Sequence, residues 1–353
     1  MINLILGPSK ENFMWWIYPV YALLLVAIVF LSIKLADLVD LLDKKTCISA
    51  VFIGSVLLAA VTSLPELFTS ISAILIVKDP QLVIGNILGS DIFNIMITSI
   101  YTIVFFTQFK KSDIHKWHLV LTLALLGMYA LSMYALLAPE NLQLMIGDIN
   151  FISVLLLLVY IVLMVKQPKQ DEVENIQETE SKLTLKQIIW LFIIFGILLI
   201  GVSIAITYMT DLIKHEIAWL NGTIAGAIFL GVATSLPEVI STFHLFKLKN
   251  LNAGLGNMIG SCTFNLLILV FADVISWANI GGNSADVTAR GIFISNIDSQ
   301  QLIIFGAMSI AALSLALFLK AFTKVFDNKK LGLPVGVGLS LVSVASYLLV
   351  FVL

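Results

Sequence analysis

Long apolar stretches separated by short polar segments run along almost the whole chain. A helix needs about 20 mostly apolar residues to cross the hydrocarbon core of a bilayer. The pattern predicts ten such spans, with boundaries accurate to several residues: 14–34, 47–77, 81–108, 115–137, 142–165, 187–212, 218–246, 250–272, 301–322 and 333–352. The sequence therefore predicts an all-α integral membrane protein with ten transmembrane helices.

Two longer polar segments interrupt the apolar pattern. Residues 166–186 follow the fifth span and contain five acidic residues among four lysines, and a second loop at 273–300 follows the eighth span. The first segment divides the chain into two sets of five helices, residues 1–165 and residues 187–353. We interpret residues 166–186 as a solvated linker, with a Ca²⁺ sensor as the alternative.

The basic residues predict the orientation of these helices. Of the 20 lysines and arginines, 16 fall in or beside the loops after the odd-numbered spans, and four fall at the N-terminus or after the even-numbered spans. Because short cytoplasmic loops are enriched in Lys and Arg, we expect both termini outside and residues 166–186 in the cytoplasm. The second and seventh spans would then run in opposite directions.

The composition excludes several other classes of protein. Of the 353 residues, 59% are hydrophobic and 12% are charged, against about 25% charged in a soluble domain. The formal net charge of −2 and the lack of a basic patch give no indication of nucleic-acid binding. The two cysteines suggest neither a disulfide framework nor a zinc motif. Beyond the lipid bilayer, we predict no cofactor and no obligate protein partner.

One pair of sequence motifs occurs in each half of the chain. Thr-Ser-Leu-Pro-Glu stands at 62–66 and again at 234–238. A second block, Gly-Asn-x-x-Gly-Ser-x-x-x-Asn, follows at 85–94 and at 256–265. The two halves are therefore copies of one unit. Combined with the predicted orientation, this gives two inverted repeats related by an axis in the membrane plane, a pattern typical of secondary transporters.

Each first motif contains a proline followed by a glutamate in an apolar segment. Pro65 and Pro237 each remove a backbone hydrogen bond, which leaves carbonyl groups without their helical donor. Glu66 and Glu238 follow directly, and a charge near the bilayer centre costs at least a few kcal/mol unless it is neutralised or paired. Since no lysine or arginine lies in the apolar part of either repeat, a bound cation is the expected partner.

The remaining polar residues of the motifs add further oxygen ligands. Ser90 and Asn94 share one helix face at a spacing of four, as do Ser261 and Asn265. The glycines four residues apart in these blocks allow close helix approach. Two carboxylates, two amides, hydroxyls and backbone carbonyls make an all-oxygen site, which suits Na⁺ and Ca²⁺ and not zinc. The candidate ligands are Glu66, Glu238, Asn94, Asn265, Thr62, Thr234, Ser63, Ser235, Ser90 and Ser261.

On these paired motifs the chain resembles the sodium/calcium exchanger family of the calcium/cation antiporter superfamily, in its prokaryotic form without large regulatory domains. The direct resemblance covers about 54–97 and 226–268. It implies that Glu66 and Glu238 are the central ligands for Ca²⁺ and Na⁺, with Asn94 at the centre. It further implies that the motif threonines contribute backbone carbonyls and that the four motif serines surround the outer Na⁺ sites.

The resemblance also bears on the coupling ion. Some family members have aspartate at the position of Asn265, and an acid in this region accompanies K⁺ transport, so asparagine favours K⁺-independent exchange. Proton/calcium exchangers carry a glutamate close to the Gly-Asn block, which this chain lacks. Asp91 departs from the usual small or amide residue. It is either an additional acid near the site or a protonated residue at a helix interface.

The function predicted from the sequence is antiport of Na⁺ and Ca²⁺ by alternating access, with Ca²⁺ extrusion as its direction. The alternatives of the same fold are H⁺/Ca²⁺ exchange, K⁺-dependent exchange and exchange of another divalent cation. A cation channel is a more distant alternative, because a channel usually shows a continuous polar lining. An enzyme is not expected, since the sequence shows no nucleophile–base pair and no catalytic metal motif.

Overall fold

The structure is a computed structural model that describes residues 15–43, 50–137, 145–146, 149–168, 183–217, 222–247 and 249–279, with scattered positions between 306 and 348. Within these ranges the chain is almost entirely helical. In chain order the elements are α1 (Ile17–Asp43), α2 (Ala50–Phe52), π1 (Ile53–Leu58), α3 (Ala59–Thr62), α4 (Leu64–Ser72), π2 (Ala73–Val77), α5 (Pro80–Val104), α6 (Phe106–Lys111), α7 (Trp117–Leu137), β1 (Met145–Ile146), β2 (Ile149–Asn150), α8 (Phe151–Lys166), α9 (Leu185–Glu216), α10 (Gly222–Ala225), π3 (Gly226–Gly231), α11 (Val232–Lys247) and α12 (Leu251–Asn279).

The described helices confirm a multi-pass membrane protein. Six of them are long and apolar enough to cross a bilayer, and the bent pair Gly54–Thr62 and Leu64–Val77 makes a seventh span if it is counted as one. Helix α8 is apolar but shorter, at 16 residues. Of the predicted spans 301–322 and 333–352, the structure describes only scattered positions. The count of ten helices therefore remains a prediction.

Several predicted boundaries were wrong in detail. The fifth span was expected from residue 142, but α8 begins at Phe151, where the side chain of Asn150 accepts a hydrogen bond from the Ile152 amide at 2.9 Å and caps the helix. Before it, β1 and β2 pair as a two-stranded antiparallel ribbon, so the fold is not purely helical. Helix α12 continues to Asn279, which places the start of the loop predicted at 273–300 later in the chain.

The helices pack as a four-element core with further helices around it. Helix α5 packs against π3 and α12, while α12 packs against π1. Each copy of the Gly-Asn helix thus crosses the π-helical turn that precedes the Thr-Ser-Leu-Pro-Glu motif of the other repeat. Helices α1 and α9 lie along one another on one side, and α7 and α8 pack against α12. The centre of the molecule is consequently an interface between the two repeats.

Glycines make these crossings possible. A Cβ atom on Gly85 would lie 2.1 Å from the carbonyl oxygen of Thr223, and one on Gly89 would lie 2.4 Å from the Cα of Ala227. On the other side, a Cβ on Gly260 would lie 2.5 Å from the carbonyl oxygen of Ser55. Any side chain at these positions would collide with backbone, so the small residues of the motif set the backbone-to-backbone distance.

The outer surfaces of the helices are apolar, as a lipid-facing surface requires. On α9 the exposed side chains include Ile193 and Ile197, and Ile197 is 63% exposed. On α1 they include Leu23 and Phe30. The inner faces of α5 and α12 instead bury serine, threonine and asparagine side chains. This distribution is the reverse of that in a soluble protein and places polar side chains in the core.

Candidate ion-binding site

The first repeat presents its glutamate at a helix break. Helix α3 ends at Thr62, Ser63 has φ −89° and ψ 9°, and α4 starts at Leu64 with its axis turned by 42°. Pro65 stands in the first turn of α4, where its missing amide hydrogen costs nothing. Glu66 is in the same turn and is fully buried. The positive end of the helix dipole therefore favours an anionic carboxylate at this point.

The second repeat presents its glutamate differently. Pro237 lies inside the continuous helix α11, and Glu238 follows it, also fully buried. We expected both segments to bend at their prolines. The first repeat does break, at Ser63. In the second repeat the helix is uninterrupted from Val232 to Lys247. Both segments carry a π-helical turn upstream, π1 and π3. Such turns often accompany functional sites in helices.

Each glutamate accepts a hydrogen bond from a serine of the opposite repeat. The Ser63 hydroxyl donates to Oε1 of Glu238 at 3.0 Å, and the Ser235 hydroxyl donates to Oε1 of Glu66 at 3.3 Å. Because residue 63 contacts residue 238 while its counterpart 235 contacts residue 66, the contact is reciprocal, as a two-fold relation requires. The site belongs to neither repeat alone.

Each glutamate also accepts from the serine of its own second motif. Ser90 donates to Oε1 of Glu66 and Ser261 donates to Oε1 of Glu238, both at 3.4 Å. Ser90 is in addition 3.1 Å from the carbonyl oxygen of Gly231 in the opposite repeat. In both glutamates, the hydroxyl groups therefore converge on Oε1 and leave Oε2 for another partner.

Four buried oxygens of the site have no hydrogen-bond partner within the part of the chain that the structure describes. They are Oε2 of Glu66, Oε2 of Glu238, Oδ1 of Asn94 and Oδ1 of Asn265, two from each repeat. Leaving a buried polar atom unpaired costs about 1–3 kcal/mol, and more if it is charged. All four belong to the repeated motifs, and a cation bound by oxygen ligands would satisfy them.

No basic side chain neutralises the two carboxylates among the described residues. The ion pairs there involve Lys34, Lys214 and His215 with aspartates outside the site. The described residues also contain no group of three or more His, Cys, Asp and Glu side chains placed to hold a metal ion by themselves. The ligand set is thus two carboxylates with amide and hydroxyl oxygens, a set suited to hard cations.

The two motif threonines join the repeats through their side chains. Thr62 bonds the carbonyl oxygen of Leu58 at 3.0 Å and Oδ1 of Asn257 at 3.3 Å. Thr234 makes the matching bonds to Leu230 and, at 3.3 Å, to Oδ1 of Asn86. The threonine hydroxyls therefore hold the helices in place. The sequence prediction concerned their backbone carbonyls, and that ligand role stays a prediction.

Asn86 and Asn257, the asparagines of the Gly-Asn pairs, were not among the predicted site residues. Nδ2 of Asn86 donates to Oγ1 of Thr69 at 2.9 Å and to Ser70 at 3.2 Å. Nδ2 of Asn257 likewise donates to Ser241 and Thr242, both at 3.0 Å. Each asparagine ties its own glutamate-bearing helix to the threonine of the other repeat. Their recurrence beside the repeated glycines was the sequence signal that could have revealed them.

We interpreted Asp91 from the sequence either as an acid near the site or as a residue at a helix interface, and the structure agrees in part with both. Its carboxylate is fully buried between helices, yet Oδ1 accepts a hydrogen bond at 2.8 Å from Nδ2 of Asn265, a predicted ligand. Its Oδ2 accepts from the Tyr129 hydroxyl at 2.9 Å. Asp91 is therefore a helix-interface residue in contact with the candidate site.

A helical membrane protein whose repeats meet at two buried carboxylates has the architecture of a secondary transporter. Comparison with known proteins identifies the family. The model of the sodium/calcium exchanger protein family matches residues 16–167 and 187–353. The chain belongs to this family of calcium/cation exchangers, which confirms the resemblance noted in the sequence.

Solved structures share the fold at low sequence identity. The crystal structure of the H⁺/Ca²⁺ exchanger CAX matches with a TM-score of 0.63 and 14% identity, over 95% of this chain and 87% of that one. Native YfkE matches with a TM-score of 0.62 and 16% identity, over 94% and 92%. The sodium-calcium exchanger NCX_Mj matches with a TM-score of 0.55 and 19% identity, over 94% and 99%. A search of curated protein sequences finds no match.

Proposed function

We propose that the protein exchanges Na⁺ for Ca²⁺ by alternating access, with Glu66 and Glu238 as the central ligands. The observation that carries this proposal is the set of four buried oxygens without hydrogen-bond partners among the described residues, contributed equally by the two repeats. The membership of the exchanger family supports it. The direction that we propose is Ca²⁺ extrusion driven by inward Na⁺ flow.

The chemistry of the ligand set supports competition between the two ions. Two ionised glutamates neutralise one Ca²⁺, which takes 6–8 oxygen ligands. Ser63 and Ser235 offer hydroxyl oxygens beside the carboxylates, and these suit Na⁺ in smaller neighbouring positions. If only the occupied forms of the transporter change their accessible side, each ion must leave before the other is carried, and exchange results.

A second candidate is H⁺/Ca²⁺ exchange by the same site. The specific observation in its favour is the likeness in fold to CAX, an H⁺/Ca²⁺ exchanger, with a TM-score of 0.63. Buried carboxylates can carry protons as well as metal ions. Na⁺ is our first choice because the second motif of each repeat contains no glutamate and because hydroxyl groups accompany both carboxylates.

A flux assay in liposomes distinguishes these couplings. The purified protein is reconstituted, and Ca²⁺ uptake is measured under an imposed gradient of Na⁺, K⁺ or H⁺, one at a time. We expect uptake with the Na⁺ gradient and no dependence on K⁺. Uptake driven by H⁺ alone would replace our choice with the second candidate. A unitary current in a bilayer recording would instead favour a channel.

The architecture that we propose is the ten-helix form with two inverted repeats, residues 1–165 and 187–353, joined by the cytoplasmic linker 166–186. Both termini are outside in this arrangement. The distribution of basic residues supports this orientation. A single cysteine placed in 166–186, in a protein whose Cys47 and Cys262 are replaced, should react with an impermeant reagent only from the cytoplasmic side. Labelling from outside intact cells would contradict the inverted arrangement.

A further inference from the structure

Asp91 has a hydrogen-bond donor on each of its carboxylate oxygens. Nδ2 of Asn265 is 2.8 Å from Oδ1, and the Tyr129 hydroxyl is 2.9 Å from Oδ2. All three side chains are fully buried, with 0% relative exposure. Tyr129 comes from α7, Asp91 from α5 and Asn265 from α12, so the three groups link three helices beside the ion site.

This arrangement determines which way the Asn265 amide faces. An asparagine side chain has a donor end and an acceptor end, and rotation by about 180° exchanges them. In the structure both Asp91 oxygens accept hydrogen bonds, Oδ2 from the Tyr129 hydroxyl and Oδ1 from Nδ2 of Asn265. With Nδ2 facing Asp91, Oδ1 of Asn265 points the other way. That oxygen is one of the four buried oxygens without a partner among the described residues.

The other repeat provides a comparison within the same molecule. The alignment of the second motifs places Cys262 opposite Asp91 in sequence, and Asn94 opposite Asn265. A thiol is a weak acceptor and cannot replace a carboxylate as a partner for an amide. Correspondingly, neither Nδ2 nor Oδ1 of Asn94 has a hydrogen-bond partner among the described residues. Of the two motif asparagines, the one beside the carboxylate is the one whose orientation a hydrogen bond fixes.

We propose that Asp91 is a positioning residue that holds the amide of Asn265 with Oδ1 presented to the transported cation, and that Tyr129 holds Asp91 in place. The inference rests on the proposed function, because it requires a cation at the site of Glu66 and Glu238. Groups that orient a metal ligand commonly change metal affinity by about 10–100-fold when they are removed. The two repeats would then contribute unequally to binding although their motifs match.

The test is equilibrium binding of radiolabelled Ca²⁺ to the purified full-length protein in the absence of Na⁺. We expect Asp91→Asn to weaken Ca²⁺ binding by about 10-fold, because the new amide can accept or donate and no longer selects one orientation of Asn265. Tyr129→Phe, which keeps the ring, should weaken binding by a smaller factor. Ser132→Ala, on the same helix as Tyr129 and with its hydroxyl bonded to the Met128 carbonyl oxygen of that helix at 2.9 Å, is the control and should leave the Ca²⁺ affinity unchanged.

A double-mutant cycle separates positioning from a direct effect of charge. In an Asn265→Ala background the amide is gone, so Asp91→Asn should produce no further loss of Ca²⁺ affinity. A full additional loss in that background would overturn the inference, as would wild-type affinity in Asp91→Asn. Thermal unfolding without Ca²⁺ verifies that each variant is folded, and Tyr129→Phe provides the test if Asp91→Asn does not fold.

The outcomes also separate this inference from the proposed function. If the wild-type protein binds no Ca²⁺, both fail together. If the wild type binds Ca²⁺ and loses binding in Glu66→Gln, but Asp91→Asn and Tyr129→Phe bind normally, the positioning role fails alone. If the Asp91 effect disappears in the Asn265→Ala background, the positioning role is supported.

Discussion

The two repeats agree at the carboxylates and differ at the residue that follows the serine of the second motif. Around Glu66 and Glu238, the serine hydroxyls make matching hydrogen bonds, at 3.3 and 3.0 Å across the repeats and 3.4 Å within them. At the neighbouring position, one repeat has Asp91 and the other has Cys262. The backbones also differ, since the chain breaks at Ser63 while α11 continues through its proline.

This difference shows where the two-fold relation constrains the molecule. Groups that meet at the interface between the repeats face their own counterparts, so a change in one copy alters the contacts of both. Asp91 and Cys262 also meet across this interface, with the Cys262 Sγ 4.0 Å from the Asp91 carbonyl oxygen, but only Asp91 has a carboxylate that accepts from Tyr129 and Asn265. We therefore expect equal effects from paired substitutions at the carboxylates, and unequal effects where the residue types or the local distances differ between the repeats.

The strongest test of the shared part is removal of either charge. Glu66→Gln and Glu238→Gln should each reduce Na⁺-driven Ca²⁺ flux on the order of 100-fold or more, because loss of one partner from a buried ionic contact costs about 3–5 kcal/mol. Flux into liposomes measures the effect, and thermal unfolding verifies the fold. Near-normal flux in either variant would remove that glutamate from the site and break the equivalence of the repeats.

The helix crossings should respond unequally. A Cβ on Gly85 would be 2.1 Å from the carbonyl oxygen of Thr223, whereas one on Gly256 would be 3.0 Å from the Ser55 nitrogen. Gly85→Ala should therefore lower stability by about 3 kcal/mol, the upper part of the range for overpacking, and Gly256→Ala by about 1 kcal/mol. Thermal unfolding in one detergent compares them. Equal losses of stability would mean that the helices at the two crossings move apart equally easily to accommodate a methyl group.

The asparagines that tie the helices together should behave alike. Asn86→Ala and Asn257→Ala each remove donors to two hydroxyl groups and an acceptor for a threonine of the other repeat. We expect each variant to weaken the apparent Ca²⁺ affinity in flux by about 10-fold, since both act by holding the glutamate-bearing helix. If only one variant loses Ca²⁺ affinity, the hydrogen bonds of the other asparagine contribute to packing and not to the position of its glutamate.

The smallest expected effect concerns the turns before α5 and α12. Lys78 and Lys249 occupy equivalent positions and have φ of 60° and 63°, in the left-handed region. That conformation costs a non-glycine residue about 1–2 kcal/mol, part of which glycine loses again through its greater freedom in the unfolded chain. Lys78→Gly and Lys249→Gly should each raise stability by about 0.5 kcal/mol, measured by thermal unfolding. If either substitution lowers stability, the lysine side chain at that position makes a contact that stabilises the protein by more than the backbone strain destabilises it.

Much of the architecture followed from the sequence because its causes are local. Apolar runs of bilayer length identify the spans from 17 to 276 within a few residues, and the family model confirms the family that the paired motifs indicated. The exceptions lie at the ends of elements. The capping of α8 by Asn150, after a short ribbon, depends on single hydrogen bonds that hydropathy does not reveal. Of the ninth and tenth predicted spans, the structure describes only scattered positions.

The sequence by itself determined which chemical groups the protein carries in its membrane-embedded core, since the repeated motifs identify the glutamates, serines and asparagines. Only the tertiary structure decided their partners. Ser63 bonds the glutamate of the other repeat, 175 residues away, and Asn265 bonds Asp91, 174 residues away. The physical reason is that hydropathy and local motifs act over one helix, whereas these pairings depend on how closely the glycine-lined helices of the two repeats cross.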